Sequence, residues 1–367
     1  MKICGVTAEY NPFHEGHAYH IAEAKRQSGA DALAVIMSGH FVQRGEPAVF
    51  DPYRRAEDAL NAGADAVFMM PPEASTSSAE GFAAYSVELL DKLGCDTISC
   101  GIEPGTDAEQ LADYAKLLCS ESSEISDRIK TLIKSGISYP AAVAEAFGME
   151  KTGPNALLAL EYLKAIYKTG SRMELVPVTR KGSGYADLKI NPAMYPSATA
   201  LRAALLSGEN SKELPLGPDD FLPEIINSIQ RTDNPQEYLD CDEAIAARLK
   251  KTDFHYHSYD DMIKDIKTKE YTYTRIARAI IHIYLQIKNP PGEIKAAYLI
   301  GFSNPDVLTE LKNRSHIRII SKAADYGNEL ESTAKAADLY NTVLWKKYNV
   351  ERPNIFRQRI VKCSRAY

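Results

Sequence analysis

Asn11-Pro12-Phe13-His14-Glu15-Gly16-His17 follows a short apolar strand pattern, Ile3 to Ala8, and opens an amphipathic helix pattern from about 14 to 27. At such a strand-to-helix turn the first N–H groups of the helix have no internal partner, and the helix dipole adds partial positive charge. An anionic phosphate is the natural ligand. Gly16 lets that ligand approach the backbone with no Cβ in the way, and His14 and His17 project from neighbouring positions of the first turn. Two imidazoles are expected to flank one phosphorus.

Other readings of these residues fit less well. A zincin helix needs His at i and i+4 with Glu between, whereas His14 and His17 stand at i and i+3. His20 extends the series, and three histidines on one face suit a metal. A lone helix rarely closes a tetrahedral site, however, and no Cys or Asp/Glu cluster nearby completes one, so no metal site is assigned. Capping by His14 alone is the third reading, but Ser, Thr, Asp and Asn are the usual caps. Phosphate binding is preferred over both.

At 367 residues the chain is too long for one ordinary domain, and 45% hydrophobic with 25% charged residues marks it as globular. The net charge of −6 is unevenly spread: residues 1–150 carry 11 Lys and Arg against 23 Asp and Glu, and residues 151–367 carry 32 against 26. The acidic front half is excluded as a general nucleic-acid surface, while the basic back half permits phosphate-backbone contact. Six cysteines without C-x-x-C spacing, no signal-peptide pattern and no apolar run long enough for a bilayer predict a reduced, cytoplasmic protein with no membrane partner.

The order of elements reads as α/β. Asp31 to Ser38 contains the continuous apolar run of a buried parallel strand. A polar loop, Gly39 to Pro47, leads to a helix from Asp51 to Asn61; a strand at Ala66–Met70, a helix at Ala79–Leu93 and a strand at Thr97–Cys100, closed by Gly101, follow. Helical patterns fill 106–169, and Glu174 to Val178 supplies a fifth strand ahead of a basic Gly-rich run, Arg180 to Tyr185. Right-handed crossovers then give a doubly wound, Rossmann-like parallel sheet with its ligand crevice at the carboxyl ends of the strands. There the His14 turn, the 39–47 loop and Gly101 converge.

Further on, Tyr195-Pro196-Ser197-Ala198-Thr199-Ala200-Leu201-Arg202 reads as a helix start capped by Ser197. Thr199 and Arg202 fall in its first turn and a half, and an Arg near a helix N-terminus opposes the dipole unless an anion faces it. Hydroxyls with Arg180 and Arg202 suit a polyphosphate tail. The expected division is a phosphate-binding catalytic domain, 1–205, followed by a mainly helical domain, 206–367.

Together, N-P-F-H-x-G-H and S-A-T-x-x-R resemble the H-x-G-H nucleotidyltransferase superfamily. Met37-Ser38-Gly39 through Gln43-Arg44-Gly45-Glu46-Pro47, Gly153-Pro154-Asn155-Ala156-Leu157 and Gly182-Ser183-Gly184-Tyr185 resemble the bacterial tRNA(Met) cytidine acetate ligases, strongly over the first 205 or so residues and loosely beyond. The resemblance implies ATP, with Mg²⁺, and acetate as substrates, acetyl-adenylate as intermediate, and N4 of the wobble cytidine of elongator tRNA(Met) as acceptor. It places ATP contacts on Thr7, Ala8, Glu9, Tyr10, Asn11, Pro12, Phe13, His14, Gly16, His17 and His20, and on Gly101, Asn155 and Arg180; Ser197 and Thr199 join them from the later motif. His40 stands where the family more often has a small polar residue, and no role is assigned to it.

The chemistry is consistent with these residues. Acetate is ionised at neutral pH, so its attack on the α-phosphorus needs alignment and charge stabilisation rather than a general base. His14 and His17 are assigned to the reacting phosphorus and, with Arg202, to catalysis; Arg180 and Arg202 restrain the departing diphosphate. Gln43 and Arg44, with Phe13, are eligible to hold substrate. For tRNA, the candidates are Tyr273, Arg275 and Arg278, with a second basic stretch at Lys312, Arg314, Arg318 and Lys322 and a third from Arg357 to Arg365. Two rival functions remain open: adenylation of a small phosphorylated metabolite at the same site, and non-catalytic nucleotide sensing by an RNA-binding protein.

Overall fold

The computed structural model describes residues 1–120, 124–148, 153–181, 197–208 and 213–363. In chain order the first part runs β1 (Ile3–Ala8), α1 (Glu15–Ser28), β2 (Ala32–Met37), β3 (Phe41–Val42), β4 (Glu46–Pro47), α2 (Pro52–Asn61), β5 (Ala66–Met69), α3 (Pro72–Ser75), α4 (Ala79–Lys92) and β6 (Thr97–Ile102). Four helices follow, α5 (Ala108–Cys119), α6 (Glu124–Lys134), α7 (Tyr139–Ala146) and α8 (Pro154–Thr169), then β7 (Glu174–Thr179) and α9 (Ala198–Leu206). The remainder is α10 (Leu222–Gln230), α11 (Glu243–Leu249), α12 (Tyr259–Ile266), α13 (Tyr273–Leu285), β8 (Ala296–Phe302), α14 (Pro305–Arg314), β9 (Arg318–Ile320), α15 (Glu331–Tyr348) and β10 (Val361–Lys362).

The apolar run of β2 is continuous because both its faces are covered. Ala32, Ala34 and Ile36 join a core with α4, α5 and α8, whereas Leu33, Val35 and Met37 join one with α1, α2 and part of α15. Strand order is β10-β8-β5-β2-β1-β6-β7, with β9 also pairing with β8. From β1 the chain builds outward through β2 to β5, then returns to add β6 and β7 on the other side, all parallel. The strand order therefore reverses beside β1, and ligands of doubly wound sheets bind at that point. Gly5 is required there, since a Cβ would lie 2.5 Å from Leu90 of α4.

Three expectations change. Gly101 does not close its strand: it pairs with Val178 inside β6, which continues to Ile102. The 39–47 segment is a two-stranded hairpin, β3–β4, with Phe41 and Val42 buried. Nor does the sheet end with the first 205 residues. β8 pairs antiparallel with β5, and β9 and β10 add to β8. The rest of the C-terminal part is helical, with its own core of α10 to α13 and one face of α15. Phe41 belongs to that helical core, and the Tyr340 hydroxyl of α15 donates to the Ala48 carbonyl at 2.8 Å, so the hairpin is clasped by both parts.

Candidate active site

The carboxyl end of β1 turns sharply into α1. Tyr10 has φ +50° and the Asn11–Pro12 bond is cis. The Asn11 side-chain oxygen accepts from Val49 N at 2.7 Å, and the Asn11 carbonyl accepts from Arg202 Nη1 at 2.7 Å, which ties the turn to α9. Arg202 also donates to Thr199 Oγ1 at 3.3 Å, while the Ser197 hydroxyl caps α9 by accepting from Ala200 N at 3.1 Å.

His14 proves to be the N-cap of α1, so capping and phosphate binding are not alternatives. Its Nδ1 accepts from Gly16 N at 3.1 Å, and His17 Nδ1 accepts from His14 N at 3.3 Å. This is a capping box in which two imidazoles replace the usual hydroxyl and carboxylate. The consequence is chemical: a neutral imidazole whose Nδ1 accepts carries its proton on Nε2. Both rings thus become Nε2–H donors, stacked with centroids 3.7 Å apart and planes 25° from parallel.

Their environment keeps them neutral. Burial, then the positive charges of Arg180 and Arg202, lowers the His14 pKa to about 4. Burial also lowers His17 well below the ordinary imidazole value, helped by His14, His20 and Arg180, and lowers His20 to about 4, helped by Arg180. His20 Nε2 meets Ser99 Oγ of β6 at 3.2 Å, a contact that pins α1 across the β1–β6 boundary. Arg180 follows β7, its N–H donating to the Ile102 carbonyl at 2.9 Å, and its stem lies over Gly101, where a Cβ would be 3.2 Å from Cγ. Glycine at 101 therefore makes room for the arginine.

Other expected positions have structural partners. Thr7 bonds the Tyr162 hydroxyl of α8. Ala8 and Phe13 pack against the α1–α2 core, Tyr10 lies within it, and Pro12 is buried. Glu9 Oε1 accepts from Gln43 N at 2.9 Å, joining β1 to the hairpin; Arg44 beside it is half-buried. Asn155 is held by a residue that sequence reading missed. Glu103 sits on the N-terminus of α8, with Oε1 accepting from Asn155 N at 3.0 Å and Asn155 Nδ2 at 2.7 Å and Oε2 accepting from Ala156 N at 3.0 Å. The carboxylate occupies the place that helix ends offer to anions.

Arg55 was also missed. Fully buried, it donates to the carbonyls of Phe50 (3.0 Å), Glu9 and Gly39, gathering the ends of β1 and β2 with the chain entering α2. In sequence it is indistinguishable from its exposed-type neighbour Arg54, and only its place on the inward face of α2 could have marked it.

Most of the tRNA candidates have acidic partners within the chain. Arg278 is buried, its Nε 2.8 Å from Asp240, and Arg275 is paired with Asp242 at 3.1 Å. Arg314 engages Asp96 and Glu310, Arg318 engages Glu329, and Lys322 engages Asp325. These cations are answered by carboxylates within the chain, which weakens their claim on RNA. Tyr273, at the first turn of α13, stays near the site, within electrostatic reach of Glu46. The Gly-rich run 182–185, Tyr195-Pro196 and residues after 363 lie outside the described residues.

A doubly wound sheet with an H-x-G-H turn at its point of reversal defines a nucleotidyltransferase of the HIGH type, and the model of the HIGH Nucleotidyl Transferase family matches residues 1–354. Among curated relatives, the tRNA(Met) cytidine acetate ligase of Thermoanaerobacter sp. (strain X514) is 31% identical, with 95% of this chain and 97% of that protein covered. The protein of the same name from Bacillus subtilis (strain 168) is 31% identical over 93% and 92% of the two chains. The chain belongs to the tRNA(Met) cytidine acetate ligase family within the HIGH nucleotidyl transferases. In fold it matches the crystal structures of Thermotoga maritima TmcAL, apo (TM-score 0.87, 24% identity, 100% of both chains) and bound with alpha-thio ATP (TM-score 0.85, 24% identity, 99% of both).

Proposed function

We propose that this chain is an ATP-dependent ligase that activates acetate as acetyl-adenylate and transfers the acetyl group to N4 of the wobble cytidine of elongator tRNA(Met), releasing diphosphate and AMP. The observation that carries the reading is the pair of stacked, neutral imidazoles whose Nε2–H donors are fixed by their own helix cap. Donors of this kind neutralise charge that grows on phosphoryl oxygens and need not reorganise as it grows. In this reading His14 and His17 hold the α-phosphoryl group, and Arg202 and Arg180 bear on the diphosphate that leaves.

The first step needs no base, because acetate arrives ionised. Its oxygen attacks the α-phosphorus as the bond to diphosphate breaks. Gly16 leaves room for the capping His14 ring, since a Cβ there would lie 2.9 Å from it. Among the described residues no group of three or more His, Cys, Asp or Glu is gathered for a metal ion, so Mg²⁺ would come on the ATP phosphates. The hairpin is joined to the end of β1 through Gln43 N and Glu9 and to α13 through Gly45 and the Glu46–Tyr273 pair, which keeps Gln43, Arg44 and Tyr273 as candidates for acetate and cytidine and leaves Arg275 and Arg278 to hold α13 in place.

Incubation with ATP and labelled acetate, with and without tRNA(Met), tests the reading. Acetate-dependent acetyl-AMP and diphosphate formation, with label passing into the tRNA, is the expected outcome. ATP consumption only with a phosphorylated metabolite would transfer the site to the rival adenylation reaction. Nucleotide binding without turnover would make it a sensor. Among the described residues no helix is long and apolar enough to cross a membrane.

A further inference from the structure

Acyl transfer leaves a proton to be placed. The cytosine amine forms a C–N bond with the acetyl carbon, the C–O bond to AMP breaks, and its electron pair leaves with AMP. The attacking nitrogen must then lose a proton. A phosphate monoester has its second pKa near ~6, so AMP departing at pH 7 does not carry that proton away.

Most groups of the site cannot accept it. The Nδ1 atoms of His14 and His17 are occupied by N–H donors, and both rings resist protonation. Arginines do not accept. Tyr259 donates its hydroxyl to the Gly45 carbonyl at 2.8 Å. Among the described residues three carboxylates remain, and two of them are engaged: Glu9 accepts from Gln43 N at 2.9 Å, and Glu103 accepts from Asn155 and Ala156 at the start of α8. Glu46 accepts no hydrogen bond from a described residue, although it is partly buried.

Its position is suitable. Glu46 pairs with Val42 across the hairpin, and the hairpin is fixed on three sides: by Glu9, by Tyr259, and by Gly45, whose missing Cβ would lie 2.4 Å from the Arg278 nitrogen of α13. Charged and titratable groups face Glu46 from every neighbouring element: Arg202 of α9, Arg44 of the hairpin, Glu9 after β1, Tyr259 of α12 and Tyr273 of α13. Arg202, held by the Asn11 carbonyl of the β1–α1 turn, acts on both His14 and Glu46.

We propose that Glu46 is the proton acceptor of the acyl-transfer step, taking the proton of the cytidine amine as the tetrahedral intermediate forms and releasing it to water after AMP leaves. This rests on the ligase reading above. Burial raises the Glu46 pKa above the ordinary carboxylate value against the pull of Arg202 and Arg44, and a base in that setting is stronger than an exposed glutamate.

Full-length Glu46→Gln and Glu46→Asp chains would be compared with the parent in two assays: acetate-dependent ATP–diphosphate exchange, and single-turnover transfer of labelled acetyl to tRNA(Met) across pH 5 to 9. Loss of a general base costs on the order of a hundredfold. We expect Glu46→Gln to reduce transfer by about that factor and at least tenfold more than exchange, and Glu46→Asp to recover part of the loss. The parent transfer rate should rise with pH along an acid limb absent from Glu46→Gln. Equal loss of both assays, or full transfer with an unchanged limb, overturns the assignment. A parent chain without acetate-dependent exchange overturns the ligase reading itself, whatever Glu46 does.

Discussion

A single substitution separates the two duties of His14. Asparagine is among the best N-caps, so His14→Asn keeps an acceptor for Gly16 N while removing the Nε2–H donor. Stability should stay within about 1 kcal/mol of the parent, whereas acetyl-adenylate formation should fall roughly a hundredfold, about 3 kcal/mol of transition-state stabilisation. Urea denaturation and diphosphate release measure the two. The same residue carries a pH signature. Its folded pKa, about 4, lies below the ordinary 6.5, so between those values the unfolded chain binds the proton and the folded chain does not. Stability therefore falls as pH drops through that window. In His14→Asn the urea midpoint should fall less steeply between pH 6.5 and 4, and an unchanged slope would show that the ring is not held neutral by the fold.

Between elements, the hairpin depends on contacts that sequence reading did not reveal. Gly45, at φ +79°, lies against the α13 backbone. Gly45→Ala combines a strained φ with a steric clash, at a cost of about 1–3 kcal/mol, visible as a lowered melting temperature. Arg55 organises three loop carbonyls at once. Arg55→Ala leaves them buried without donors, at ~1–3 kcal/mol for each left unsatisfied, and should weaken ATP binding in isothermal titration although Arg55 is placed on no phosphate. The parallel strands and the H-x-G-H and S-A-T-x-x-R turns were legible because each has a local signature, an apolar run or a cap at a helix start. Arg55, Glu103 and Tyr162 were not, because their partners lie 46, 52 and 155 residues away and only tertiary placement tells a buried charge from a surface one. The partners of Arg278 and Arg318 were hidden for the same reason: Asp240 and Glu329 come from other turns of the chain.

Over the whole molecule, the sheet does not respect the boundary at 205. β5 is covered along its outer edge by β8, and α15 supplies Ala334 and Ala337 to the sheet core and Ala336, Tyr340, Val343 and Leu344 to the helical core. A chain cut after residue 208 would bare β5 and the apolar residues opposite α15. We expect such a fragment to aggregate rather than bind ATP; a soluble, ATP-binding fragment would contradict this. The acidic front half supplies the His14 turn, and the positive charges beside it, Arg180 and Arg202, come from the basic back half, so net charge per segment says little about a site assembled from both.

The pairing of Ala66 with Phe302 and of Gly301 with Val361 has a consequence for biosynthesis. During translation the β5 edge must wait, unpaired, until more than half of the polypeptide has left the ribosome. Contacts so distant in sequence make for slow folding, and an open strand edge in the meantime is a template for wrong partners. The nascent chain therefore has reason to need chaperone cover at β5 from the time that strand emerges until β8 has been synthesised, well after the nucleotide-binding turn is complete.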